Sequence, residues 1–133
     1  MNVTEYIKKN YKKTIRTKEC AVNSTKIFLP KPFTVPCADE VFMNFYYWDT
    51  YFTNLMLYSL NDISQAKNNI DNMKYLVETL GFIPNADHIL ENCQPPLFAQ
   101  SVYDYYLFTK DNNESISSTE TLLLILLDFC ICL

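Results

Sequence analysis

Glycine is almost missing from this chain: Gly81 stands alone among 133 residues, beside six prolines. An all-β protein needs a tight turn at each hairpin, and those turns draw on glycine, so that class is excluded. Histidine is as scarce, and His88, even with Asp87 and Glu91 near it, makes no convincing metal site. Positive charge is in deficit. The net charge is -4 and the pI about 4.9, so no overall basic field exists to hold nucleic acid. The basic residues crowd the start, at Lys8, Lys9, Lys12, Lys13, Arg16 and Lys18, and read as a solvated helix face rather than an RNA or membrane contact. The apolar stretch from Leu122 to Leu133, interrupted by Asp128, is too short to cross a bilayer as a helix. A secretory h-region is lacking. The cysteines, Cys20, Cys37, Cys93, Cys130 and Cys132, are odd in number and scattered, which predicts reduced thiols in a cytoplasmic chain. The C-x-C at Cys130 and Cys132 has no second pair for zinc, and no cofactor is expected.

What is abundant is apolar and aromatic. Apolar residues make up 49% of the chain, so it is not compositionally disordered. Aromatics reach 15%, with ten Tyr, nine Phe and one Trp. Tyrosine and tryptophan pair a flat apolar face with a polar tip, which suits ligand stacking as well as packing.

The pattern predicts an all-α chain of four or five helices. A basic first helix is expected over 3–17, within 1–19, with Thr4 as N-cap. Pro30, Pro32 and Pro36 make 20–40 a loop. The region 41–110 carries the remaining helices. One runs from about Trp48 to Leu60, so apolar all round that most of it should be buried. The next starts at an Asp62 cap and places Ile63, Ala66, Ile70, Met73, Val77 and Leu80 on one stripe. Gln65, Lys67, Asn68, Asn69, Asp71, Lys74 and Glu78 largely face away from it. Gly81 sits where a left-handed residue ends such a helix, and Pro84 blocks its continuation. After a loop, Pro95 and Pro96 suit the start of a helix carrying Leu97 to Phe108. Residues 111–133 form an atypical apolar tail. No strand pairing is signalled.

Four segments point to chemistry: Phe33 to Cys37, Phe42 to Phe52, Gly81 to Asn85, and Cys93 to Pro96. A carbohydrate site needs an apolar platform for a pyranose face, and carboxylates and amides for vicinal hydroxyls. Trp48 and Asp49 supply the first combination; Asn85 and Gln94 supply the amides. A carboxylate buried within an apolar run is costly without a partner or ligand, which favours substrate contact for Asp49. Other readings weigh less. His88 is expected to be an exposed loop histidine, Cys93 not to be a nucleophile despite the nearby His88, and Asp39 and Glu40 to flank the loop.

This arrangement resembles the trehalase family of glycoside hydrolases. That family repeats F-x-x-x-Y-Y-W-D-S/T-Y-F, then a helix, then G-F-I-P-N-G, then R-S-Q-P-P, and the likeness here runs from about residue 30 to residue 109. The resemblance implies part of an (α/α)6 barrel whose motifs line a sugar subsite. Phe42, Tyr46, Trp48, Asp49, Asn85 and Gln94 become sugar contacts, with Asp49 accepting from hydroxyls remote from the anomeric carbon.

The chain departs from the pattern at Asn92 and Val41, where the family has arginines, at Cys93, where it has serine, and at Ala86, where it has glycine. The general acid and general base of inverting hydrolysis lie in later segments of the family and find no match here, so no catalytic residue is assigned. The expectation is a truncated or frame-disrupted glycosidase that binds an α-glucoside such as trehalose and turns over nothing. Substrates of the glucosylglycerate or mannosylglycerate type fit the missing arginine. A helical interaction module that self-associates through exposed apolar surface is the alternative outside the enzymes.

Overall fold

The computed structural model describes residues 2–17, 27–38 and 41–111. Cys20, Lys18, Asp39, Glu40 and the 112–133 tail lie outside the described residues. Helix α1 spans Val3–Asn10 and passes through a 3₁₀ turn, Tyr11–Thr14, into a short strand β1, Ile15–Arg16. The helix is shorter than the sequence predicts, and its cap is Asn2 rather than Thr4. The Asn2 side chain accepts from the Glu5 amide while the Glu5 carboxylate accepts from the Asn2 amide. This capping box sets the start two residues earlier than a threonine cap would.

Strand β1 pairs antiparallel with β2, Phe33–Thr34. Helix α2, Tyr47–Ser59, and helix α3, Ile63–Leu80, form a hairpin. Its turn is made by Asn61 in the left-handed conformation (φ 58°), one of the few non-glycine residues that tolerates it. Asp62 then caps α3, accepting from the Gln65 amide and the Ser64 hydroxyl. The Tyr11 hydroxyl also donates to Asp62 at 3.1 Å, tying the N-terminal segment to this turn. Gly81, at φ 83°, ends α3 as the sequence predicts. Strands β3, Pro84–Ala86, and β4, Ile89–Cys93, make an irregular antiparallel hairpin, and α4, Phe98–Asp111, follows. The described residues are thus mostly helical with two small sheets. The sheets were not expected because strands of two to five residues leave no alternating pattern to read.

The core lies between α2, α3, α4 and the segment before β2. Leu57, Ala66, Met73, Leu76, Val102, Phe33, Val35 and Phe45 are all buried there. The apolar stripe of α3 holds: Ala66, Ile70 and Met73 are buried, and Ile63, Val77 and Leu80 pack at its edge. Leu76 joins it.

Two expectations fail. Gln65 and Asn69, read as outward-facing, are buried, and so is Asn72. They face backbone, not solvent. Asn69 accepts from the Thr34 amide (3.1 Å) and Gln65 Nε2 (3.2 Å), and donates to Thr34 Oγ1 (2.9 Å) and Asn54 Oδ1 (2.8 Å). Asn72 accepts from the Lys31 amide and donates to the Lys31 carbonyl. Among the described residues the Pro-bearing segment has no second strand on its α3 side, so α3 side-chain amides satisfy backbone groups there. Helix α2 is likewise only half buried. Tyr47, Asn54, Leu57 and Tyr58 face inward, while Trp48, Phe52 and Leu55 are exposed.

Candidate functional site

The loop before α2, the N-terminal end of α2 and the β3–β4 hairpin meet. Tyr46 forms an isolated antiparallel bridge with Ala86, and the Asp87 amide donates to the Phe45 carbonyl at 3.1 Å. Asn85 and the Phe42–Tyr46 loop are thereby held side by side. Phe42 and Tyr46 pack edge to face with ring centroids 6.0 Å apart.

A hollow of about 110 Å³ opens here, lined by Pro36, Phe42, Tyr46 and Asp49. It is smaller than the roughly 300 Å³ at which small-molecule pockets begin. Burial, then the charges of Asp87 and Asp49, push the Tyr46 hydroxyl above its ordinary value. It is therefore a protonated donor at neutral pH, beside a carboxylate acceptor and an apolar ring. A second hollow, of about 320 Å³, shares Pro36 but is lined by uncharged groups such as Tyr6, Tyr11, Val35, Thr53 and Met56. It offers no carboxylate to grip vicinal hydroxyls, so the smaller one is the better saccharide candidate.

Asp49 is exposed, not buried as the sequence argument assumed. It sits in the first turn of α2, where the helix dipole also favours a negative charge. Successive helical residues point about 100° apart. Trp48 is accordingly not among the residues lining the hollow; it is 42% exposed and packs against Phe52 at 6.3 Å. Phe42 is the apolar face that the hollow does present. On the hairpin, Gln94 donates from Nε2 to Asn85 Oδ1, so these two expected site residues meet directly.

Two residues near the site behave differently from the sequence expectation. His88 is not an exposed loop histidine: its ring edge packs on Tyr46 at 5.8 Å, and its Nδ1 lies 3.4 Å from Asp87. Tyr47, which the motif reading passed over, is buried and accepts from the amides of Leu97 (2.8 Å) and Phe98 (2.7 Å). It thereby satisfies donors at the start of α4, just after Gln94, Pro95 and Pro96. Spacing could not reveal this, since the two partners are about fifty residues apart.

Asp87 is fully buried. Its Oδ1 accepts from Asn44 Nδ2 at 2.9 Å and its Oδ2 from the Phe45 amide at 3.3 Å. Burial pushes its carboxyl above the ordinary value, and Asn44, the Phe45 amide and His88 pull it back down. Among the described residues no group of three His, Cys, Asp or Glu could hold a metal ion, and no helix is long and apolar enough to cross a membrane.

Comparison with known proteins converges on one family. A family model described as Trehalase matches residues 1–125. The periplasmic trehalase of Xanthomonas campestris pv. campestris (strain 8004) is 36% identical over 101 residues, covering 74% of this chain and 17% of that protein. The periplasmic trehalase of Pseudomonas aeruginosa is 40% identical over 82 residues, covering 60% of this chain and 15% of that protein. The trehalase of Arabidopsis thaliana is 34% identical over 96 residues, covering 71% of this chain and 15% of that protein. The chain thus spans about a sixth of the length of the curated relatives it matches. The bacterial relatives are named as periplasmic, which overturns the cytoplasmic placement read from cysteine usage. An odd, scattered cysteine count says what a thiol is spaced for, not where a chain resides. With the family model matching nearly the whole chain, and with curated trehalases 34–40% identical to it, this chain belongs to the trehalase family.

Proposed function

We propose that the chain supplies one wall of the saccharide cleft of a trehalase-type glycoside hydrolase, and that it binds an α-glucoside without hydrolysing it. The observation that carries the proposal is the meeting of Phe42, Tyr46 and Asp49 on one hollow. The ring covers an apolar sugar face, the Tyr46 hydroxyl donates, and the Asp49 carboxylate accepts from hydroxyls remote from the anomeric carbon. Asn85 and Gln94 would add polar groups from the neighbouring hairpin, and Trp48 an indole, although none of the three lines the hollow itself. Helices α2, α3 and α4 would be part of an (α/α)6 barrel. Inverting hydrolysis needs two carboxyl groups flanking the bond, and Asp49 is the one carboxylate lining the hollow.

Titration calorimetry with trehalose tests the binding. The Asp49→Asn variant should weaken it roughly ten-fold or more, the worth of a hydrogen bond to a charged group. Absence of trehalose binding by the parent chain rejects the saccharide reading. Glucose release by the chain alone rejects the claim that it binds without turnover.

A second reading is favoured by the exposed stripe of Trp48, Phe52 and Leu55 on α2 and by Tyr103, Leu107 and Phe108 on α4. Such apolar surface suits association with another protein or another copy. Size-exclusion chromatography separates the two: a defined oligomer that no sugar perturbs supports the interaction module.

A further inference from the structure

We infer that Asp87 is a positioning residue: its buried carboxylate clamps the Phe42–Tyr46 loop onto the β3–β4 hairpin and so sets the geometry of the sugar-facing side chains. The inference rests on the saccharide reading above. Four bonds to the Asn44–Phe45 stretch and to Ile27 meet at this residue, and His88 Nδ1 lies 3.4 Å from its Oδ1. Its side chain accepts from Asn44 Nδ2 and from the Phe45 amide. Its amide donates to the Phe45 carbonyl, and its carbonyl accepts from the Ile27 amide at 3.2 Å. The clamp lies between Phe42 and Tyr46 on one side and Asn85 on the other, within one or two residues of each along the chain.

The chemistry requires a carboxylate. Two donors converge, one on each side-chain oxygen. A carboxylate accepts on both oxygens, whereas an amide offers one oxygen and turns its NH₂ toward the other donor. Asp87→Asn keeps shape and volume but leaves one oxygen for the Phe45 amide, so Asn44 must turn its own amide over to meet the new NH₂, and both bonds lose their charged acceptor. Enclosing the carboxylate makes the pair demanding, because a buried acceptor without donors costs its full desolvation. The donors are backbone and side chain of the loop itself, so loosening them moves Phe42 and Tyr46 rather than the α3 core.

The test compares the parent chain with Asp87→Asn, Asn44→Ala and the exchanged pair Asn44→Asp/Asp87→Asn. Amide exchange at Phe45 reads the clamp, amide exchange at Met73 and Leu76 reads the core, and calorimetry with trehalose reads the site. In Asp87→Asn, Phe45 exchange should rise and trehalose affinity fall, each roughly ten-fold or more, while the core amides stay protected. Asn44→Ala keeps the Phe45 bond and should give a smaller loss, which tests the clamp even if Asp87→Asn does not fold. The exchanged pair should recover part of the affinity, since a carboxylate at 44 again meets an amide at 87. Unchanged Phe45 exchange in Asp87→Asn overturns the clamp. Faster exchange with parental trehalose affinity overturns its role in the site. Should the parent itself not bind trehalose, the saccharide reading and the positioning role both fall, while Phe45 exchange still decides whether the clamp exists.

Discussion

Replacing Asn69 with leucine should unfold much of the advantage that α3 gains from its polar side. Asn69 is fully buried and uses its whole capacity, two donors and two acceptor sites, on four partners. Leucine keeps the branched outline, is somewhat bulkier, and removes all four bonds. The Thr34 hydroxyl can turn elsewhere and Gln65 keeps its bond to the Pro32 carbonyl. The Thr34 amide and Asn54 Oδ1 have no such recourse, and both residues are almost fully buried. Leaving two buried groups unsatisfied costs about 1–3 kcal/mol each. The added apolar burial returns part of this, about 1–2 kcal/mol for a leucine side chain in place of an amide. The net loss is about 1–4 kcal/mol, a large share of the roughly 5–15 kcal/mol typical of a domain. Urea unfolding followed by circular dichroism measures it as a lower midpoint at unchanged slope. A change under about 0.5 kcal/mol, the scale of an ordinary surface substitution, refutes the claim that the amide holds the Pro-bearing segment.

Tyr47→Phe removes the one acceptor shared by the Leu97 and Phe98 amides and should cost about 1–3 kcal/mol, with the loss concentrated in α4 amide protection; parental stability would sink it. The Asp87 carboxyl, raised mainly by burial, holds its proton to higher pH when folded than when unfolded. Its contribution to stability is therefore fully present below the ordinary value of 3.8 and is lost as pH rises through the folded value. Urea stability of the parent minus that of Asp87→Asn should decline with rising pH from that point; a difference that grows instead contradicts the assigned direction.

Much of this molecule was legible because it depends on local rules. The span of α3 followed from the Asp62 cap, the apolar stripe and Gly81, and all three stand. The candidate site residues were legible only as motif members; the placing of the Phe42–Tyr46 loop beside Asn85 depends on the bridge between Tyr46 and Ala86, forty residues apart, which no periodicity encodes. The misreadings share one cause. A period of 3.6 sorts residues by polarity, so it sent Gln65 and Asn69 outward, and the unbroken apolar run of α2 made most of that helix read as buried. What decides burial is whether a neighbour needs the polar group. The Pro-bearing segment needed amides, and among the described residues α2 has no apolar neighbour covering its outer stripe.

Because Trp48 is the chain's single indole, its fluorescence comes from one address. It is one helical step from Asp49 and partly open to water, so a sugar arriving nearby would change the polarity around the fluorophore directly. Melting of α1 would pass unseen by the same light, since that helix contains no tryptophan.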